Sequence, residues 1–158
     1  MIFKYFLSAN RFKNLIILKS LAFLFKLVSA IAAFGWGILI FAPNWKYANL
    51  VIVNGLVVGL ALFYVYLLFI RMDPKDEDYP KGNFLTLEGI SLLFRNPKNL
   101  LAGWVHYLAF DLMLGIYIKT EANALGINHF IQIPCFLLTF LLGPVGLLAF
   151  IIIQLYFK

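Results

Sequence analysis

The sequence predicts an all-α membrane protein with four transmembrane helices, a short interfacial helix in a cytoplasmic loop, and both termini cytoplasmic. Three observations predict it. Apolar residues make up 63% of the 158 and charged residues only 13%, whereas a soluble domain is about half apolar and a quarter charged. Mean hydropathy is +0.92, more apolar surface than a small soluble monomer could hide. Four runs reach the roughly 20 apolar residues that a bilayer crossing needs. Residues 1–158 therefore read as a single membrane domain.

Residues 1–20 are basic. Lys4, Arg11, Lys13 and Lys19 lie there, and they account for much of a net charge of +6. A basic segment beside an apolar run is drawn to anionic headgroups, so these residues are expected to lie at the membrane surface. The rest of the chain offers no solvated basic face, which excludes nucleic acid as a partner. The first apolar run, 21–41, is long enough to span, and no small-x-small cleavage site precedes a soluble domain. It is expected to be a retained helix and not a removable signal.

The second run covers 50–70. After it, 71–99 holds Arg71, Lys75, Lys81, Arg95 and Lys98, whereas the connections 42–49 and 119–130 hold one lysine each, Lys46 and Lys119. Lysine and arginine mark the cytoplasmic side, and an even number of spans returns the C-terminus to it. Within this loop "DPKDEDYPKG" is turn-rich. "FLTLEGISLLF" spaces Leu87, Ile90, Leu93 and Phe94 as an amphipathic helix over 84–95, too short to span.

The third run, 100–118, and the fourth, 131–156, complete the bundle. Rows of small residues, Ser29/Ala33/Gly37 and Gly55/Gly59, are expected to face other helices, because close packing drives assembly in lipid. Trp36, Trp45 and Tyr47 fit an interfacial belt.

Polar residues inside apolar helices are functional candidates. Lys26 lies roughly 8 to 9 Å from a helix end, at 1.5 Å of rise per residue, and can snorkel. Asp111 cannot. It lies about 16 Å along the third span by the same rise, where a bare carboxylate costs about 2.5 to 3.5 kcal/mol. It is expected to face the bundle, neutral or paired. Trp104, Leu108, Asp111, Gly115 and Ile118 share its stripe, and Tyr107 is one turn before it. His106, five residues before Asp111, points about 140° away. Pro144 in the fourth span withholds a donor from the Phe140 carbonyl, and Asp111 or Thr139 could supply one. Two readings stay open: these groups stitch the third and fourth spans together, or they handle a ligand.

Cys135 is the single cysteine, so no intrachain disulfide forms. Two distant histidines give no metal-binding spacing, and no phosphate loop or nucleophile elbow occurs. No metal and no cofactor are expected.

"APNW", "EGISLLF", "GWVHYLAFDLMLGIYI" and "INHFIQIPCFLLTFLLGPVGLLAF" resemble the abscisic-acid-deficient-four-like membrane family over roughly residues 36–156. Trp104, His106 and Asp111 match its third-span motif; Gly143, Pro144 and Gly146 match its fourth; Pro43, Glu88, Gly89 and His129 match more loosely. The plant member is a plastid protein needed to make neoxanthin from violaxanthin, an isomerisation that opens an epoxide and forms an allene. The resemblance implies a four-span protein with Asp111 as acid and His106 as base. Trp104, Tyr107, Gly115, Thr139 and Pro144 would contact substrate. Gly143, Gly146, Glu88 and Gly89 would be structural. The N-terminus does not resemble a Ser-rich plastid transit peptide. The expected location is the plasma membrane of a bacterium, with a carotenoid or other isoprenoid as ligand and a second copy or a membrane enzyme as partner. The competing expectation is a non-catalytic pigment-binding or assembly protein.

Overall fold

The computed structural model describes residues 2–70 and 79–157, with side chains from Leu18 onward. The placements expected for Lys4, Arg11 and Lys13, and for the acidic turn at 71–78, lie outside this description. All regular structure among the described residues is helical.

Among the described residues six helices follow one another. Helix α1 is Ile2–Phe41, α2 is Ala48–Ile70 and α3 is Leu87–Leu93. Helix α4 is Pro97–Ala124, α5 is His129–Leu142 and α6 is Pro144–Leu155. The stretch Leu18–Phe41 of α1, all of α2 and all of α4 are long and apolar enough to cross a membrane. Helix α2 is wound as π-helix over Val51–Val57 and again over Tyr66–Ile70.

Local chemistry sets the helix starts. Asn96 accepts a hydrogen bond from the Lys98 N–H at 2.9 Å and Pro97 occupies the first turn of α4, a favoured cap and first residue. Helix α4 is therefore longer than the expected 100–118, and it takes in Lys119, which the sequence suggested for a connection. The Thr86 hydroxyl accepts from the Gly89 N–H at 3.0 Å, so α3 starts at Leu87 and not at 84. Gly89 also packs against the Asn83 side chain, and Asn83 accepts from the N–H groups of Leu85 and Thr86. Gly89 thus fastens the turn before α3. Glu88 lies exposed in the first turn of that helix.

Helix α4 is the central element, and contacts along it set the direction of every neighbour. Trp104 Nε1 donates to Ser29 Oγ at 3.0 Å, and Gly115 packs against Trp36 and Leu39 of α1. Helices α1 and α4 therefore run parallel. Lys119 Nζ donates to Asn49 Oδ1 at 2.7 Å at one end of α2. The rings of His106 and Tyr64 lie 5.7 Å apart toward its other end, so α2 is antiparallel. Two apolar cores result. One, with Val28, Leu60, Leu101 and Val105, joins α1, α2 and α4 at the N-terminal half of α4. The other, with Trp36, Ile52, Ile116, Phe136 and Phe150, also takes in α5 and α6.

The expected fourth helix over 131–156 is two helices. Helix α5 ends at Leu142, Gly143 has φ +42°, and α6 begins at Pro144. A proline within an apolar run either kinks a helix or starts a new one. A glycine in front of it, free to take positive φ, permits the second. Gly146 then packs against Thr139 and the Cys135 carbonyl, so α6 folds back along α5.

Two further expectations are corrected. A Cβ added at Gly37, Gly55 or Gly59 meets nothing within 4 Å, so these glycines are not close-packed; Gly55 and Gly59 face α1 across an open apolar groove that Leu24, Val28 and Ile31 also line. The inward face of α1 is instead Ala32, Gly35, Trp36 and Leu39. Trp36 is buried against Phe136 and Phe140 and is no belt residue, whereas Trp45 and Tyr47 are exposed.

Candidate functional site

Asp111 sits halfway along α4 and is 6% exposed. Its Oδ1 lies against Gly143, 2.8 Å from where a Cβ would stand. The turn that reverses the chain therefore closes directly on the carboxyl. Its Oδ2 is buried with no hydrogen-bond partner among the described residues. An unpartnered polar atom in an apolar interior costs on the order of 1–3 kcal/mol.

Tyr107, one turn before Asp111, places its hydroxyl beside the carboxyl. The same hydroxyl donates to the Phe140 carbonyl at 3.5 Å. That carbonyl is the one the sequence identifies as left without its helical donor. Its partner is thus Tyr107, and neither Asp111 nor Thr139. Thr139 donates to the Cys135 carbonyl at 2.8 Å and is fully buried. Gly146 against it ties α5 to α6.

Tyr107 also lines a cavity of about 630 Å³ between α1 and α4. Its walls are apolar and include Leu21, Phe25, Phe94, Leu100 and Trp104. Trp104 stacks on Tyr107 with ring centroids 5.4 Å apart and lies 5.4 Å from Phe25. A long apolar molecule would find aromatic faces along the walls and one hydroxyl at the inner end.

The structure separates the residues that the sequence put forward. Asp111 and Tyr107 come together, with Gly143 on the carboxyl and Trp104 on the tyrosine ring. His106 does not join them. It is exposed, stacked on Phe110 at 4.4 Å and near Tyr64, on the α2 side of α4. The helix angle read from the sequence predicts this divergence, and the three-dimensional arrangement does not undo it. Gly115 lies under Trp36 and Leu39, where it serves packing, and Pro144 is exposed at the start of α6.

Sequence reasoning missed Ser29 as the partner of Trp104, and it missed the polar pairs at the far end of α4. Lys119 is buried on Asn49, Gln154 donates to Glu121 at 3.4 Å, and Gln132 donates to Asn123 at 3.2 Å and to the Ile127 carbonyl at 2.9 Å. His129 Nε2 donates to the Ile40 carbonyl at 2.9 Å. Gln132 and His129 stand out in the sequence as polar groups at the start of the fourth apolar run, and a count of polar residues near helix ends could have singled out the others, though not paired them.

Long apolar helices around a buried carboxyl, with the comparison that follows, define a helical membrane protein. The ABA DEFICIENT 4-like family model matches residues 23–150, and the chain belongs to that family. No curated protein and no solved structure matches it.

Proposed function

We propose that this protein is a multi-pass membrane protein that binds a long isoprenoid, of which a carotenoid is one kind, and isomerises it at Asp111. The observation that carries the reading is Tyr107, which both lines the apolar cavity and reaches the Asp111 carboxyl. The N-terminus and the 71–99 loop are cytoplasmic by their lysines and arginines.

An isomerisation consumes no net proton. Asp111 in its neutral form can donate its proton to an oxygen of the substrate as a C–O bond breaks. The carboxylate so formed can then take a carbon-bound proton as the new double bond forms, which restores the acid. One carboxyl serves both halves, so the separation of His106 from Asp111 presents no obstacle. The Tyr107 hydroxyl would turn from the Phe140 carbonyl to the substrate oxygen and hold it near the acid.

A specific observation favours a second reading. The cavity wall carries one polar side chain able to titrate, Tyr107, and Asp111 stands behind it. This suits a non-catalytic pigment-binding or assembly protein equally well. Pigment and lipid profiles of a carotenoid-producing host, with and without the protein, separate the two. Isomerisation changes the profile and needs Asp111. A binder copurifies with pigment that keeps its structure, in Asp111→Asn as in the native chain. No profile change would sink the isomerase reading, and no bound pigment either would sink both.

A further inference from the structure

We propose that α5 and α6 form a re-entrant hairpin, which enters and leaves on one face of the membrane. The chain then crosses three times, and its C-terminus lies on the face opposite the 79–96 segment. Treating the fourth apolar run as a span would place it on the same face.

Length is the first argument. Helices α5 and α6 have 14 and 12 residues, about 21 and 18 Å at 1.5 Å per residue. A hydrocarbon core is about 30 Å thick. Neither helix can cross it alone, and the turn at Gly143 prevents them from adding end to end.

Direction is the second. Helix α5 starts beside the C-terminal end of α4, where Gln132 meets Asn123. It descends to the middle, where Phe140 meets Tyr107 and Gly143 meets Asp111. Helix α6 then climbs back. The Phe150 ring lies 6.3 Å from Tyr117, and Gln154 reaches Glu121. Both ends of the hairpin thus flank the same end of α4, and its tip stops halfway.

The division of the cores is the third. Phe136 and Phe150 belong to the core at the C-terminal half of α4. The other core draws its residues from α1, α2 and α4, with none from α5 or α6. A full span would contribute to both. Tyr107, which meets Phe140 at the tip of the hairpin, also lines the cavity, whose walls include no residue of α5 or α6. Backbone freed at the turn stays inside the bundle, as an irregular segment at membrane depth must, with Tyr107 on the Phe140 carbonyl.

Cysteine accessibility tests the proposal on the full-length chain. Cys135→Ser removes the only native thiol. Asn44→Cys, Lys81→Cys and Phe157→Cys are then introduced one at a time, all at exposed positions. A membrane-impermeant maleimide is applied to intact cells and then to permeabilised ones. Phe157→Cys is expected to label from the same side as Asn44→Cys and opposite to Lys81→Cys. Labelling from the Lys81→Cys side overturns the proposal. Reporter fusions check the result without a cysteine. Alkaline phosphatase after residue 158 of the native chain is expected to be active, and after residue 81 silent. Equal behaviour of the two fusions also overturns it. The hairpin stands apart from the isoprenoid reading: unchanged pigments leave this topology intact, and a different topology leaves any pigment change to be explained.

Discussion

Asp111 and Gly143 decide each other's surroundings. The carboxyl occupies the space where a side chain at 143 would begin, and positive φ disfavours any residue but glycine there. Gly143→Ala is expected to destabilise the protein by about 1–3 kcal/mol from backbone strain, with the carboxyl contact adding to it. Thermal unfolding in detergent measures the loss; an unchanged midpoint would show that the turn is looser than described. The proposed catalytic role and the packing roles fall to different neighbours on α4. Asp111→Asn should abolish any pigment conversion while the protein still purifies folded. Tyr107→Phe should weaken conversion at least tenfold, because the ring stays while the hydroxyl is lost. His106→Ala should leave conversion within about twofold, as for a surface change away from a site. A loss with His106→Ala equal to that with Asp111→Asn would restore the histidine as the base.

Helices are joined by few polar contacts and much close packing. The Trp104–Ser29 hydrogen bond links α1 to α4. Such bonds between helices in membranes average about 0.6 kcal/mol, and a double-mutant cycle of Trp104→Phe with Ser29→Ala should return a coupling of that order. A coupling of zero would mean that the two helices are held by apolar contact alone. Gly115 admits Trp36 and Leu39 onto α4. Gly115→Leu should cost about 1–3 kcal/mol through overpacking, visible as a lower melting midpoint. In the hairpin, Gly146 rests on Thr139 and the Cys135 carbonyl, so a larger side chain there separates α5 from α6.

At the scale of the whole bundle, one layer is incomplete. Helices α1, α2 and α4 run its length, and the α5–α6 hairpin covers half. Ala22→Trp puts an indole into the cavity from α1, where Ala22 is exposed and lines it. Pigment retention should fall at least tenfold with little change in melting midpoint; retention as in the native chain would place the ligand elsewhere. At this scale the sequence was legible in composition and in the existence of its helices. Asp111 stood out because a carboxylate in an apolar run is costly wherever the chain goes, and the divergence of His106 follows from helix geometry alone. Tyr107 was legible only as a neighbour of Asp111, since its link to Phe140 spans 33 positions. Ser29 was read as a packing residue for the same reason: its partner lies 75 positions away.

Residue chemistry alone determined a helical membrane chain, because apolar runs of this length bury their backbone polar groups only as helices in lipid. It also marked Pro144 as a break. The kind of break was decided by tertiary structure. Gly143–Pro144 permits either a bend or a reversal. The reversal holds because Gly146 closes on Thr139, Gly143 closes on Asp111 and Tyr107 takes up the Phe140 carbonyl. Those contacts exist only once α4, α5 and α6 are packed together, so no window of sequence contains them.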